Sequence, residues 1–193
     1  MDNQTPQTAI VQAQINGQDI EIDFLGHVLG VRPKALQNGV AEIIVPYRHS
    51  DGEGEVAIPI MHPLHCLQSR VANLIVLGRR DDTARRQAEA APVVLREYVS
   101  QALDQGDHRE ATRTLQNLFD FLSRDKTGRR AHLNVTRDPL EVLRHFANDR
   151  RIDERYKLRI LAPAIRKIEQ QRSAWGRVLT ALSLRKTRLT DGA

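Results

Sequence analysis

The spacing of apolar residues changes near residue 61, and this change limits the fold more than any single motif does. Over residues 1–60 apolar and polar residues tend to alternate, whereas from residue 61 onwards apolar residues recur three or four positions apart. The first pattern is typical of half-buried strands and the second of amphipathic helices. The sequence therefore predicts an α+β fold, a small antiparallel sheet followed by a helical bundle. We place the domain boundary between residues 1–60 and 61–193.

Four segments of the N-terminal part have the alternation expected of β-strands. The dipeptide Asn16-Gly17 separates the first two, and Asn-Gly between such runs is the strongest short signal for a hairpin. The four segments read TAIVQAQI (8–15), DIEIDFL (19–25), VAEIIVPY (40–47) and GEVAIPI (54–60). We expect residues 27–39 to connect the second and third strands irregularly.

The helical pattern begins at Pro63, a residue suited to the first turn of a helix. Leu64, Leu67 and Val71 then follow at helical spacing. Two later prolines, Pro92 and Pro163, lie inside helical segments, where proline predicts a kink or a break because it cannot donate the backbone hydrogen bond. Because aromatic residues make up only 4% of the chain, we expect a core of Leu, Val, Ile and Ala.

Cysteine content and the N-terminus indicate the compartment. Cys66 is the only cysteine, so no intrachain disulfide can form, which fits a reducing environment. The first residues, MDNQTPQTAI, have neither a basic nor an apolar stretch of the kind found in secretory signals. No apolar run approaches the ~20 residues needed to span a membrane. We expect a cytoplasmic protein that does not bind membranes.

Charge is distributed unevenly along the chain. The formal net charge is +5, but residues 1–60 carry −5 and residues 150–193 carry +8. A basic C-terminal part can contact the phosphates of a nucleic acid. It can equally be the solvated surface of arginine-rich helices, and the sequence leaves both interpretations open.

Glu21 and Asp23 are the first candidates for a functional site. Residues two apart on a strand project to the same side, so their carboxylates are close enough to bind one Mg²⁺ ion together. The alternative is that the pair is the solvated face of a half-buried strand, which is the usual role of such residues.

The segment HPLHCLQSR (62–70) contributes further polar residues at the start of the first long helix. His62 and His65 share one helical face beside Cys66, but zinc needs further ligands, and structural histidines are the alternative. Arg70 and Asn73 are neighbours at i and i+3. They could contact a phosphate together, or Arg70 could form a salt bridge to the sheet.

Two segments read together, INGQDIEIDFLGHVLGV (15–31) and IPIMHPLHCLQSRVANLIVL (58–77), resemble a known family. They are similar to the second half of nucleotidyltransferase-fold proteins of the polymerase-β superfamily, most of all the minimal nucleotidyltransferases and AbiEii-like toxins. In that family a strand reading v-I-D-f-l brings the third metal-site carboxylate, which Asp23 matches. A helix reading h-x-L-x-x-R-x-x-N-l follows, which Leu67, Arg70, Asn73 and Leu74 match. The resemblance covers about residues 8–105.

The resemblance implies roles for these residues. Asp23 would be the catalytic carboxylate and a Mg²⁺ ligand with help from Glu21, and Arg70 and Asn73 would contact the nucleoside triphosphate (NTP). The family also has an upstream Gly-Ser turn and an Asp-x-Asp pair, and neither occurs among the residues before Asp23. Because two-metal chemistry needs several carboxylates around ions ~3.5–4 Å apart, the metal site is incomplete.

Three explanations remain for the incomplete site: a split or truncated enzyme, a degenerate member that only binds, or an accidental match. The ancestral chemistry would be Mg²⁺-dependent transfer of NMP from NTP to RNA or protein, and we expect the chain alone to lack it. The alternative is a non-catalytic interaction protein. It would bind a partner of the toxin–antitoxin type or a second copy through an exposed sheet edge, or nucleic acid through its basic C-terminal helices.

Overall fold

A computed structural model describes residues 7–15, 18–25, 28–38, 40–49 and 52–174. It confirms the α+β class, because antiparallel strands come first along the chain and helices follow. The division into domains at residues 1–60 and 61–193 stays a prediction, although the last strand and the first long helix do meet at this position.

The strands pair as two hairpins. Their bounds are β1 (Gln7–Ile15), β2 (Gln18–Leu25), β3 (Val40–His49) and β4 (Gly52–Met61). β1 pairs with β2 and β3 pairs with β4, both antiparallel, and no ladder joins the two hairpins among the described strands. The N-terminal part therefore contains two two-stranded sheets instead of one sheet of four strands.

The connection between the hairpins is more regular than its sequence predicted, since it contains a short helix, α1 (Pro33–Asn38). Before α1 the chain passes close to the first long helix at Gly30. Gly30 has φ of 80°, and a Cβ added there would lie 2.7 Å from the Cβ of Ala72 and 3.0 Å from the carbonyl oxygen of Gln68. Gly30 thus meets two requirements at once, a left-handed backbone and a close approach to the helix.

The rest of the described chain is mainly helical. The bounds of the helices are α2 (Pro63–Ile75), α3 (Asp82–Asp104), α4 (His108–Arg124), α5 (Lys126–Arg130), α6 (Leu140–Ala147) and α7 (Glu154–Tyr156). A 3₁₀ turn (Ala131–Leu133) follows α5. A π-helical turn (Lys157–Leu161) and α-helical residues 162–174 continue from α7.

Short polar side chains begin most of these helices. Asp81, Asp107, Asp125 and Asp153 each accept a hydrogen bond from a backbone N–H of the first turn, in α3, α4, α5 and α7 respectively. Such caps satisfy amides that have no partner within the helix. In α2 the cap is the imidazole of His62, whose Nδ1 accepts from the backbone N–H of Leu64 at 3.1 Å.

The core is built mainly of leucine, as the low aromatic content predicted. Leu67 of α2, Leu95 of α3 and Leu115 and Leu118 of α4 are each 0% exposed. Phe146 of α6 is the largest fully buried side chain in the described part of the chain. The core therefore lies between helices α2, α3, α4 and α6, and the exposed hairpin β3–β4 contributes little to it.

Neither proline inside a helix breaks it. Pro92 lies within α3, which continues from Asp82 to Asp104. Before Pro163 the helix forms the π-helical turn, in which the N–H of Ala162 donates to the carbonyl of Lys157, five residues back. The interruption predicted at Pro163 therefore takes the form of a wider turn just before the proline, and the helix continues beyond it. None of the helices described here is both long enough and apolar enough to span a lipid bilayer.

Candidate functional site

Apolar side chains are exposed on both faces of the β3–β4 hairpin. Val40, Ile44 and Met61 are 47%, 53% and 37% exposed. They lie on one face of the hairpin, because Val40 is opposite Met61 and because Val40 and Ile44 are an even number of residues apart on β3. Val56 and Ile58, on the other face, are 45% and 43% exposed. Grouped apolar residues of this kind mark surfaces that bind another molecule.

Both outer edges of the same hairpin lack a neighbouring strand within the described part of the chain. An isolated two-stranded hairpin is marginally stable in water at best, and an open strand edge pairs readily with another chain. The exposed faces and the open edges together make this hairpin a candidate for a binding surface. We call it the exposed hairpin.

The predicted metal ligands lie on β2 in the other hairpin. In its register Glu21 is opposite Gln12, and Asp23 is opposite Ile10. The side chains of Glu21 and Asp23 lie outside the part of the structure that is described, so their role as Mg²⁺ ligands stays a prediction. Among the described residues, no group of three or more His, Cys, Asp or Glu side chains is arranged to hold a metal ion.

Arg70 and Asn73 lie together on α2, as their spacing required. Both are half-buried, while Val71 and Ala72 between them are buried. The carbonyl of Asn73 accepts a hydrogen bond from the N–H of Arg79 at 3.3 Å, which closes the turn after the helix. Because the side chain of Asp23 is not described, a shared site of Asp23 with Arg70 and Asn73 also stays a prediction.

His62 connects the end of the exposed hairpin to the helical core. Its Nδ1 accepts the hydrogen bond from Leu64, so the neutral ring carries its proton on Nε2. Nε2 lies 3.3 Å from Oε1 of Glu110 in α4 and donates to it. The ring also packs edge-on against Tyr98 of α3, with centroids 4.7 Å apart. One side chain thus contacts α2, α3 and α4.

Glu110 is the centre of this polar cluster. Its Oε1 also accepts hydrogen bonds from Thr114 at 2.9 Å and from the Tyr98 hydroxyl at 3.3 Å, and its Oε2 pairs with Arg113. We call His62, Tyr98, Glu110, Arg113 and Thr114 the His62 cluster. Its donors are all aimed at one carboxylate whose side chain is only 15% exposed.

The pKa values in the His62 cluster follow from burial and from these bonds. Burial lowers the pKa of His62, against the opposing effect of Glu110. Burial also acts to raise the pKa of Glu110, but the hydrogen bonds from Thr114 and His62 and the charge of Arg113 outweigh it, so this pKa is lowered. Burial and the adjacent carboxylate raise the pKa of Tyr98 to about 12. At neutral pH the cluster is therefore a neutral imidazole bound to a charged carboxylate, which suits a structural connection.

Sequence reasoning placed His62 at a helix start but did not find its partner. His62 and Glu110 are 48 positions apart, and nothing local to either residue indicates the other. The only available signal is a carboxylate in the first turn of α4, and the helix dipole explains that position without any partner.

The arginines that the structure describes between residues 150 and 174 fall into two groups. Arg151 bridges Asp149 and Asp104, and Arg172 forms a bidentate pair with Asp138 at 2.5 and 3.0 Å. The hydrogen bond from Arg151 lowers the pKa of Asp149 to about 2. In contrast, four arginines of this region have no carboxylate partner among the described residues, namely Arg150, Arg155, Arg159 and Arg166.

A cleft of about 380 Å³ between α3 and α6 has cationic walls. It is lined by Arg96, Arg137 and Arg144 around Pro92 and Val142, among others. Two of the three guanidinium groups are already in ion pairs, Arg96 with Glu97 and Arg144 with Glu169, each at 2.7 Å. These carboxylates reduce the positive potential of the cleft, so it is a weak candidate for a phosphate site.

The chain was also compared with known proteins. No protein-family model matches it, and no match was found among curated proteins or among solved structures.

Proposed function

We propose that this protein is one component of a nucleotidyltransferase-like assembly, and that it binds a partner protein through the exposed hairpin. The observation that carries the proposal is the combination of open strand edges with apolar side chains on both faces of β3–β4. A hairpin of this kind is completed by strands from another polypeptide.

The apolar residues of the exposed hairpin supply a driving force for binding. Covering the half-exposed side chain of a residue such as Ile44 contributes about 1 kcal/mol, given that full burial is worth ~1.5–3 kcal/mol. Five such residues together favour association by about 5 kcal/mol before the cost of ordering the two partners. That is enough for a specific complex only if backbone hydrogen bonds along a strand edge add to it.

The nucleotidyltransferase part of the proposal rests on the resemblance of the sequence. Asp23 would act as a Mg²⁺ ligand and as the base for the attacking hydroxyl, with Glu21 beside it. The partner would supply the Gly-Ser turn and the Asp-x-Asp pair, and Arg70 and Asn73 would contact the NTP. The chain alone would be inactive, because one carboxylate strand cannot hold the two ions that the chemistry needs.

Complex formation tests the proposal directly. The probe is a polypeptide that carries a Gly-Ser turn and an Asp-x-Asp strand. We expect sedimentation to show a complex that Ile44→Lys abolishes. Leu158→Lys, which changes a residue of the π-helical turn that is 70% exposed, is the matched control and should leave the complex intact. Equal binding by both variants would contradict the proposal.

A second candidate function, nucleic-acid binding, is favoured by the four arginines without a described carboxylate partner. Contacts to phosphates release counterions, so the affinity would fall steeply between about 50 and 200 mM salt. Replacing Arg155 and Arg159 together by Gln should then weaken binding of RNA and reduce this salt dependence. Binding that is unaffected by the double substitution would exclude this surface.

A further inference from the structure

We propose that the partner adds its strand to the outer edge of β3 along residues 40–44. We further infer that this strand carries Arg or Lys opposite Glu42, with an apolar residue on each side. The inference rests on the proposed function in one respect, that the exposed hairpin binds a polypeptide. It goes further by assigning the edge and the chemistry of the strand that pairs with it.

Two prolines show which backbone groups of the exposed hairpin point outwards. The β3–β4 register runs without a bulge, with Glu42 opposite Pro59 and Pro46 opposite Glu55. Because proline has no N–H, neither pair can exchange two backbone hydrogen bonds, so both are non-hydrogen-bonded pairs. Hydrogen-bonded and non-hydrogen-bonded pairs alternate along an antiparallel ladder, so the pairs of Val40 with Met61 and of Ile44 with Ala57 are non-hydrogen-bonded as well. The backbone N–H and C=O groups of Val40, Glu42 and Ile44 therefore face away from β4.

The same prolines limit how far an added strand can pair. On β3, Pro46 interrupts the row of outward N–H groups, so residues 40–44 form one uninterrupted edge. On β4, the residues before Pro59 whose backbone groups point outwards are Glu53, Glu55 and Ala57. Two of these three are carboxylates, and Glu53 is already paired with Arg48 at 2.6 Å. The edge of β3 is thus the more apolar of the two.

The side chains along this edge determine what the added strand must carry. Val40 and Ile44 are 47% and 53% exposed, and Glu42 between them is exposed on the same face. Residues directly opposite each other on neighbouring strands contact on one face of the sheet. An added strand therefore places apolar residues opposite Val40 and Ile44 and an Arg or Lys opposite Glu42. The charge pair changes the affinity for the strand by up to about fivefold.

A second copy of this chain does not fit the edge. Antiparallel pairing of two β3 edges centred on Glu42 would place Glu42 opposite Glu42, and like charges directly opposite each other are destabilising. Shifting the pairing by two residues would place Glu42 opposite Val40 or Ile44 instead. The charge at the centre of the edge therefore selects a different polypeptide.

Peptide titration followed by NMR tests the inference. The probe is Thr-Val-Thr-Arg-Thr-Val-Thr with blocked ends, and the comparison peptide has Glu in place of Arg. At millimolar peptide we expect the amide signals of Val40, Glu42 and Ile44 to shift and their hydrogen exchange to slow. The Arg peptide should bind about threefold to fivefold more tightly than the Glu peptide.

Charge reversal supplies the control. Glu42→Lys, at an exposed position, should invert the preference so that the Glu peptide binds more tightly. Glu55→Lys changes an exposed carboxylate on the same face of β4 and should leave the preference unchanged. The inference about the β3 edge would be overturned if Glu42→Lys left the preference unchanged, or if the amide signals that shift belonged to residues 53–57 instead of 40–44. Neither result would overturn the proposed binding surface. If neither peptide shifts any signal of the exposed hairpin, both the inference and the proposed binding surface fail.

Discussion

His62 Nε2 lies 3.3 Å from Glu110 Oε1, so the residue that follows β4 and caps α2 is bonded to the first turn of α4. The same ring accepts the backbone hydrogen bond of Leu64 through Nδ1. The exposed hairpin is therefore joined to the helical core through a fixed imidazole as well as through the backbone. This connection fixes the position of a hairpin whose own faces are largely exposed.

Two substitutions of His62 should separate its two bonds. His62→Ala removes both and should lower the free energy of unfolding by about 2 kcal/mol, because a lost cap costs ~1 kcal/mol and an unpaired carboxylate adds ~1 kcal/mol or more. His62→Asn keeps a capping oxygen but is too short to reach Glu110, and should cost about 1 kcal/mol. Urea denaturation measures both. Equal losses would show that the cap contributes nothing.

Stability should fall in mild acid. The pKa of His62 is below its ordinary value of 6.5 in the folded protein because the ring is buried, so the unfolded chain binds the proton more readily. The contribution to stability is therefore complete above pH 6.5 and is lost as the pH falls below that value. The pKa of His132 is lowered in the same direction, by burial and by Arg172.

Urea unfolding midpoints measured above and below pH 6.5 test whether His62 and His132 cause this loss of stability. His62→Asn should flatten the pH dependence in part, and the further change His132→Asn should remove most of what remains. A slope that is unaltered in His62→Asn would mean that the imidazole titrates freely in the folded protein.

Gly30→Ala should destabilise the fold more than the same substitution at a glycine that has no neighbouring atoms in the way of a Cβ. The added Cβ would lie 2.7 Å from the Cβ of Ala72, and φ is +80°. Strain and overpacking together should cost about 2–4 kcal/mol. Gly78→Ala is the matched control, with φ of +65° and nothing within 4 Å, and should cost only about 1 kcal/mol. Thermal unfolding that gave equal losses would contradict the close approach of residue 30 to α2.

The partly buried ion pair of Arg172 and Asp138 should matter more than an exposed pair. Its side chains are 14% and 24% exposed, and Asp138→Asn should cost about 2 kcal/mol, because the guanidinium is left without its counterion. Asn can still accept the hydrogen bond that Asp138 receives from the N–H of Leu140. Glu53→Gln, which breaks the Arg48–Glu53 pair, is the control and should cost less than about 0.5 kcal/mol.

Much of the fold could be predicted because its signals are local. The alternation in DIEIDFL and the dipeptide Asn16-Gly17 are features of neighbouring residues, and the strand β2 (Gln18–Leu25) lies where they indicated, although the predicted turn itself lies outside the described residues. The same holds for Pro63 at the start of α2. A glycine after a helical segment is likewise a local stop signal, and Gly106 follows the end of α3 with φ of 78°.

The parts that could not be predicted depend on residues distant in sequence. The bond between His62 and Glu110 requires α2 and α4 to pack first, and sequence spacing does not encode that packing. The π-helical turn before Pro163 depends on how residues 157–161 rearrange to accommodate the proline. The pairing of the strands as two hairpins depends on whether a longer-range ladder forms, which alternation alone cannot show.

Transfer of radiolabelled NMP from NTP, measured with the purified chain and Mg²⁺, tests whether the chain needs a partner to complete its metal site. We predict no transfer by the chain alone. We predict transfer once the polypeptide with the Gly-Ser turn and the Asp-x-Asp strand is added, and its loss in Asp23→Asn and in Ile44→Lys. Mg²⁺-dependent transfer by the chain alone that Asp23→Asn abolishes would contradict the account, because it would show that the metal site is complete without a partner.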